Sequence, residues 1–233
     1  MKIGVLSDIH GNHYALEAVL ELASKEKVEK ILVLGDIVGY YYYPDRVLKM
    51  LNQWDCLMIK GNHETIIEQL LAGKIQEADV RKKYGSGHKY AMEKLNTKEL
   101  DWITMLPDRN MVSIDGVNFL MCHGAPWDAN FYLYPDTDRK VLGRCGEYGA
   151  DIVLTGHSHY SFVAPVKNGM LVNAGSVGQS RSMGGVAFWT LINTANKSIE
   201  IKTCPYNTAD LIKAIENTDP DIPYLKNILS RNR

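Results

Sequence analysis

Five short segments of the chain are rich in side chains that bind metals or move protons: Asp8-Ile9-His10, Gly35-Asp36, Gly61-Asn62-His63-Glu64, His123-Gly124 and Gly156-His157-Ser158-His159. They hold five of the seven histidines, so these residues are concentrated rather than scattered. Asp and His are hard-to-borderline ligands suited to Mn²⁺, Fe, Ni²⁺ or Zn²⁺, and two Asp, one Asn and several His exceed what one tetrahedral ion needs. Two ions sharing a bridging carboxylate would use them all. A pair of ions about 3.5–4 Å apart suits in-line attack on phosphorus while neutralising its non-bridging oxygens. The chemistry this donor set points to is phosphoester hydrolysis.

Each segment follows an apolar run that reads as a strand. Ile3-Gly4-Val5-Leu6 precedes Asp8, Ile31-Leu32-Val33-Leu34 precedes Asp36, and Cys56-Leu57-Met58-Ile59 precedes Asn62. Phe119-Leu120-Met121-Cys122 runs into His123, and Ile152-Val153-Leu154 runs towards His157. Carboxyl ends of strands are where open α/β sheets keep their ligands. Tyr14 to Ala23 carries apolar residues at helical spacing behind a plausible cap, Asn12, and Pro44-Asp45 opens a second helix. Two successive strand-helix-strand units mean parallel pairing through right-handed crossovers.

A helical, lysine-rich insertion is expected from Glu64 to Leu95, with a short helix beyond it, so that helices fill roughly 64–106. Hairpin signatures follow: 111–114 and 117–121 around Asp115-Gly116, 162–165 and 170–172 around Asn168-Gly169, and 186–192 with 198–202 around 193–196. A chain that is parallel early and antiparallel late suits an α/β fold in which two mixed sheets pack face to face with helices outside, as one domain over 1–233.

The order of these motifs resembles that of the calcineurin-like metallophosphoesterases, from Asp8 to Arg181, and Asn173-Ala174-Gly175-Ser176-Val177-Gly178-Gln179 resembles their small prokaryotic phosphodiesterase branch. The resemblance implies a four-layer αββα fold and a dinuclear phosphodiesterase with two divalent transition-metal ions, Mn²⁺ first among the candidates; the expected location is cytoplasmic, because the amino terminus runs into a strand without a basic segment and a long apolar stretch. Carried over by motif, Asp8, His10 and His159 hold one metal, Asn62, His123 and His157 the other, and Asp36 bridges them. His63 is then the general acid for the leaving oxygen, with Glu64 where relatives have a carboxylate that orients its imidazole. Asn12 and Arg181 are candidate substrate or phosphate contacts. The motifs fix reaction at phosphorus but not the attached groups, so a phosphomonoesterase or dinucleoside-polyphosphate hydrolase remains the enzymatic alternative. The alternative of another class is a catalytically silent binding scaffold.

Blander roles compete for single residues. Asp8 alone could be a helix cap and Asp36 a turn former; five matching strand ends together leave little room for that. His13 and His88 read as packing or surface residues and stay outside the site. Tyr40-Tyr41-Tyr42-Tyr43 reads as a loop cover or a stacking wall, and the aromatic loop Trp127 to Tyr134 as a border of the substrate cleft or a self-association surface. With a formal net charge of −1, no broad field attracts nucleic acid or an anionic membrane, and the expected partner is a small-molecule or nucleotide phosphoester. A homo-oligomer is allowed but not demanded. Cys56, Cys122, Cys145 and Cys204 show no Cys-x-x-Cys spacing, and no apolar run approaches the ~18 residues of a bilayer span.

Overall fold

The structure is a computed structural model in which residues 1–231 are described. Its first sheet begins as the apolar runs dictate. β1 (Lys2–Leu6), β2 (Lys30–Val33) and β3 (Cys56–Met58) pair in parallel, joined by α1 (His13–Lys25) and α2 (Pro44–Leu51). The Asn12 side chain accepts from the Ala15 amide to cap α1, and Pro44, which has no amide proton to waste, opens α2. Late in the chain β9 (Val186–Asn193) returns antiparallel to β1 and β10 (Ser198–Pro205) closes that side, giving the order β10-β9-β1-β2-β3. β3, which reads as a buried strand, is only half-buried, because it is short and lies at the sheet edge.

Between β3 and β4 (Arg109–Ile114) stand four helices, α3 (Asn62–Leu71), α4 (Glu77–Tyr84), α5 (Gly87–Lys94) and α6 (Thr97–Thr104). The second sheet adds β5 (Val117–Cys122), β6 (Ile152–Thr155), β7 (Ser161–Val166) and β8 (Gly169–Ala174) in the order β4-β5-β6-β8-β7. Its three inner strands are parallel and both edges antiparallel, so the sheet is mixed. Asp115 and Gly116 both have positive φ, 50° and 76°, as the tight turn between β4 and β5 requires. The second hairpin turns at Lys167-Asn168, one residue earlier than the Asn-Gly pair suggests, and Gly169 already pairs with Val166.

Ile3, Val5, Leu32 and Leu34 from the first sheet meet Phe119, Met121, Leu154 and Val172 from the second, forming the core between them. Helices cover both outer faces. Leu16, Val19, Val47, Leu51 and Ile103 pack on the first sheet, and Leu142 of α7 (Arg139–Arg144) packs with Leu120, Val153 and Leu171 on the second. This is the expected layered sandwich. Two helices the sequence pattern did not announce, α8 (Ala209–Thr218) and α9 (Pro223–Leu229), bury Leu211, Ile215 and Leu225 against Tyr41 and Tyr42. The tyrosine run is thus largely a docking surface for the end of the chain, and only Tyr40 turns towards the strand ends. All four cysteines are free. Among the described residues no helix is long and apolar enough to cross a membrane.

Candidate metal centre

The five polar segments do converge at the carboxyl ends of β1, β2, β3, β5 and β6, and the backbone bends sharply to aim them. Asp8, His10, Asp36, His157 and His159 have φ of 54°, 52°, 54°, 62° and 62°. Left-handed backbone in a side-chain-bearing residue costs about 1–3 kcal/mol and persists only where its surroundings over-determine it. Here they do: the Asp8 amide donates to Gly35 O, the His10 amide to Asp36 O and the His157 amide to the Asp8 carboxylate, each within 3.1 Å. Gly35 and Gly61 allow the β2 and β3 ends to touch. A Cβ on Gly35 would lie 2.5 Å from the Gly61 nitrogen, and one on Gly61 would lie 2.2 Å from the Asp36 carboxylate.

The donors fall into linked groups. Asp8, His10 and His159 offer ligand atoms within 4.8 Å of one another, and so do Asp36, His123 and His157. Asn62, the first residue of α3, places Oδ1 3.0 Å from His123 Nε2 and so joins the second group. Asp36 lies between the groups, with Oδ2 3.2 Å from His123 Nε2 and 3.8 Å from His10 Nε2. A backbone carbonyl fixes each imidazole. Nδ1–H of His10 donates to Val38 O (3.1 Å), that of His123 to Leu34 O (2.7 Å) and that of His159 to Gln179 O (2.5 Å), which leaves Nε2 of each facing the centre. His157 is turned the other way. Its Nε2–H donates to Asn130 O at 3.2 Å and Nδ1 faces inward, 3.1 Å from His123 Nε2.

Inward nitrogens and carboxylate oxygens therefore crowd together with few protons between them. Asp8 Oδ1 is buried and has no hydrogen-bond partner, although the His159 Nε2 lies 3.2 Å away. A buried carboxylate oxygen without a partner beside converging imidazole nitrogens is what a divalent cation would satisfy, and the donor set fits such ions. Burial works against charge here, but in the metal-free site the neighbouring imidazoles hold the carboxyls of Asp8 and Asp36 below the usual range, and Asp36 in turn pushes His123 up to about 10 against its burial, so a proton on His123 stands where a divalent cation would supply the positive charge. Burial also pushes His10 down to about 3, keeping its imidazole neutral.

His63 stands beside this cluster, and its ring uses different partners. Its backbone amide donates to Asp36 Oδ1 (2.8 Å), its Nε2 lies 4.0 Å from Asp36 Oδ2, and Nδ1 faces Nε2 of His88 at 3.0 Å. His10, Asp36 and His63 could also form a ligand trio. Glu64, expected to orient the His63 imidazole, instead accepts four backbone hydrogen bonds, from the amides of Asp36, Ile37, Val38 and Gly61 at 2.7–3.1 Å. Its carboxyl braces the β2 loop against the start of α3.

The two candidate substrate contacts differ. Asn12 is fully buried, and its amide donates to Gly178 O (2.8 Å) and Tyr206 Oη (3.1 Å) while its oxygen caps α1. Arg181 lies among Tyr40, Tyr132 and Tyr224, with its guanidinium carbon 6.0 Å from the Tyr132 ring centre. Tyr132, partly exposed, stacks on the His157 ring at 3.9 Å, and Tyr40 meets His10 edge-on at 4.6 Å. Trp127, Asp128 and Asn130 line a cleft of about 550 Å³ together with His123, so the aromatic loop does border the site. Sequence reasoning set His88 aside and gave Tyr132 no individual role. A lone His in a helix has no local signal to mark it, and the tyrosine's contact is made across the chain.

Comparison with known proteins agrees with this geometry. The description of a calcineurin-like phosphoesterase superfamily domain matches residues 1–194. An uncharacterised protein of Methanocaldococcus jannaschii, MJ0912, is 32% identical over 238 residues, covering 92% of this chain and 90% of that protein. The phosphodiesterase YfcE of Escherichia coli is 31% identical over 81 residues, 30% of this chain and 44% of its own length. In fold, a metallophosphoesterase from Sphaerobacter thermophilus superposes with a TM-score of 0.81 at 22% identity, covering 99% of this chain and 98% of that one.

Proposed function

This chain belongs to the calcineurin-like phosphoesterase superfamily, and from that premise we propose that it is a dinuclear metal-dependent phosphodiesterase. The observation that carries the reading is Asp36 standing between two buried donor groups while Asp8 Oδ1 lacks a partner. Asp8, His10 and His159 would hold one ion and Asn62, His123 and His157 the second, with Asp36 placed to serve both. When bound, two divalent ions supply charge neutralisation at the phosphoryl oxygens and acidify a water. Mn²⁺ is the first candidate, with Fe, Ni²⁺ and Zn²⁺ as others, since availability rather than affinity decides among such ions. The backbone carbonyls at 34, 38 and 179 keep three imidazoles in the tautomer that binds metal, so the protein meets its ions already oriented.

His63 acts on the leaving group. Its Nε2 faces the centre beside Asp36, where it delivers a proton to the departing oxygen as the P–O bond breaks. Burial holds the charged form of His63 down, so that proton is taken up as the anionic substrate arrives. Arg181, always protonated, binds a non-bridging oxygen from among Tyr40, Tyr132 and Tyr224. Diester preference is supported by the phosphodiesterase named among the relatives. The helices from 64 to 106 act as one insertion that walls the site.

The purified protein supplied with Mn²⁺ should hydrolyse bis-nitrophenyl phosphate faster than nitrophenyl phosphate or dinucleoside polyphosphates, and a chelator should abolish turnover. A faster monoester or polyphosphate reaction would reassign the substrate. No turnover with any divalent ion, together with substoichiometric metal, would mark a binding scaffold.

A further inference from the structure

His63 has no carboxylate at its Nδ1; it has a second histidine from the helices between β3 and β4. His88 Nε2 sits 3.0 Å from His63 Nδ1, with the rings 12° from parallel and their centres 4.8 Å apart. Both rings are buried. The pairing is built from several directions. A Cβ on Gly39 would lie 2.0 Å from His63 Nδ1, so the residue facing this edge of the ring must be glycine, and Gly39 with φ +90° leaves the place open. A Cβ on Gly87 would lie 2.6 Å from the Tyr40 backbone, so glycine there lets the start of α5 approach close enough for His88 to reach.

The end of the chain holds that helix start in place. Asp219, fully buried after α8, accepts from the Ser86 amide (2.8 Å) and hydroxyl (2.7 Å) and from the Tyr42 hydroxyl (3.0 Å), and pairs with Arg81 at 3.1 Å. Asp219 lies beyond residue 194, where the match to the family model ends. Tyr40 and Tyr84 pack against the His63 ring, with centres 4.9 and 4.8 Å away. The His88 Nδ1 is buried without a hydrogen-bond partner, so the hydrogen bond that orients the ring is the one to His63, with Tyr84 packed alongside at 5.7 Å.

We propose that His88 is the positioning residue for His63, accepting its Nδ1–H so that the opposite nitrogen, Nε2, faces the leaving oxygen. The assignment rests on His63 as the general acid. In the step, the Nε2–H bond of His63 breaks as an O–H bond forms on the leaving group, the P–O electron pair goes to that oxygen, and Nδ1–H stays on His63, bonded to His88. An imidazole acceptor takes the place of a carboxylate and adds no negative charge beside Asp36.

The test compares alkyl and nitrophenyl phosphodiesters, since only the alkoxide needs a proton to leave and general-acid help contributes typically ~10²–10⁴-fold. His88→Phe keeps a ring but removes the acceptor, and should slow the alkyl ester roughly tenfold or more with little effect on the nitrophenyl ester. His88→Gln, whose amide oxygen reaches a similar point, should recover most of that loss, with metal content unchanged in both variants. Equal losses on the two esters, or His88→Gln no better than His88→Phe, would overturn the proposal. His63→Ala separates the two ideas. If it shows leaving-group dependence and His88→Phe does not, only the His88 role falls; if it shows none, the general-acid reading falls and takes His88 with it. A readout independent of turnover is imidazole ¹⁵N NMR of the zinc-loaded protein: His63 should be the Nδ1–H tautomer, and the Nε2–H tautomer, with His88 donating, would refute the pairing.

Discussion

Replacing Glu64 tests whether this carboxylate serves the fold of the site or the chemistry of His63. Its Oε1 accepts from Ile37 and Val38 and its Oε2 from Asp36 and Gly61, all four amides being buried. Removing an acceptor from a buried donor costs about 1–3 kcal/mol, so Glu64→Ala forfeits roughly 4–12 kcal/mol, much of the ~5–15 kcal/mol that holds a typical domain together. That variant should hardly fold. Glu64→Gln is the sharper probe, because it keeps one oxygen and sets an amide NH₂ against two backbone donors, a loss of about 2–6 kcal/mol. Burial and the neighbouring Asp36 push the Glu64 carboxyl up to about 7, against the pull of the amides. The comparison therefore belongs at pH 8, where the wild-type carboxylate is ionised. Urea unfolding of the metal-free protein, followed by tryptophan fluorescence, should show Glu64→Gln destabilised within that range. Metal affinity should fall too, since the amides of Asp36 and Gly61 adjoin the Asp36 and Asn62 ligands. Stability within about 0.5 kcal/mol of wild type, coupled to a changed leaving-group dependence, would refute the brace and return Glu64 to orienting His63.

Asp36→Ala should remove both ions, whereas His10→Ala should chiefly weaken the first; full two-metal occupancy of Asp36→Ala by elemental analysis would break the bridging assignment. His88 gives a pH effect whose sign follows from burial, which pushes its folded-state value from 6.5 down to about 4, with Asp36 opposing. The neutral form is the one the fold favours, so this contribution is present above pH 6.5 and lost as pH falls towards 4, about 3 kcal/mol in all. His88→Gln should flatten the acid limb of the metal-free protein's stability by that amount, as read from urea midpoints between pH 7 and 4, and an unchanged limb would contradict it.

What the sequence displayed most clearly was what is local in the chain. Apolar run, then Asp, Asn or His, is a pattern within about ten residues, and it picked out all seven proposed ligands because each strand carries its own donor to its own end. The layered sandwich followed from the same runs and from turn pairs such as Asp115-Gly116. The features that were not legible depend on partners far along the chain. Glu64 lies beside His63 in sequence, yet from inside the first turn of α3 its carboxylate reaches back to the amides of 36–38 and not to the imidazole. The partner of His63 is 25 residues away, on a helix whose start is fixed by an aspartate 133 residues beyond Ser86. No periodicity marks such a pairing; its sequence traces are Gly39 and Gly87, which read as ordinary loop glycines until the contacts they make room for are known. The left-handed backbone at five of the proposed ligands was equally hidden, since Asp and His tolerate it without requiring it and only the packed strand ends enforce it. The proposed metal ligands thus came from residue type and local order, whereas the proposed proton-transfer apparatus depends on tertiary packing, including the final helices beyond the residues the family model matches. Two chains with the same five motifs could therefore hold the same ions and still differ in how they protonate a leaving group.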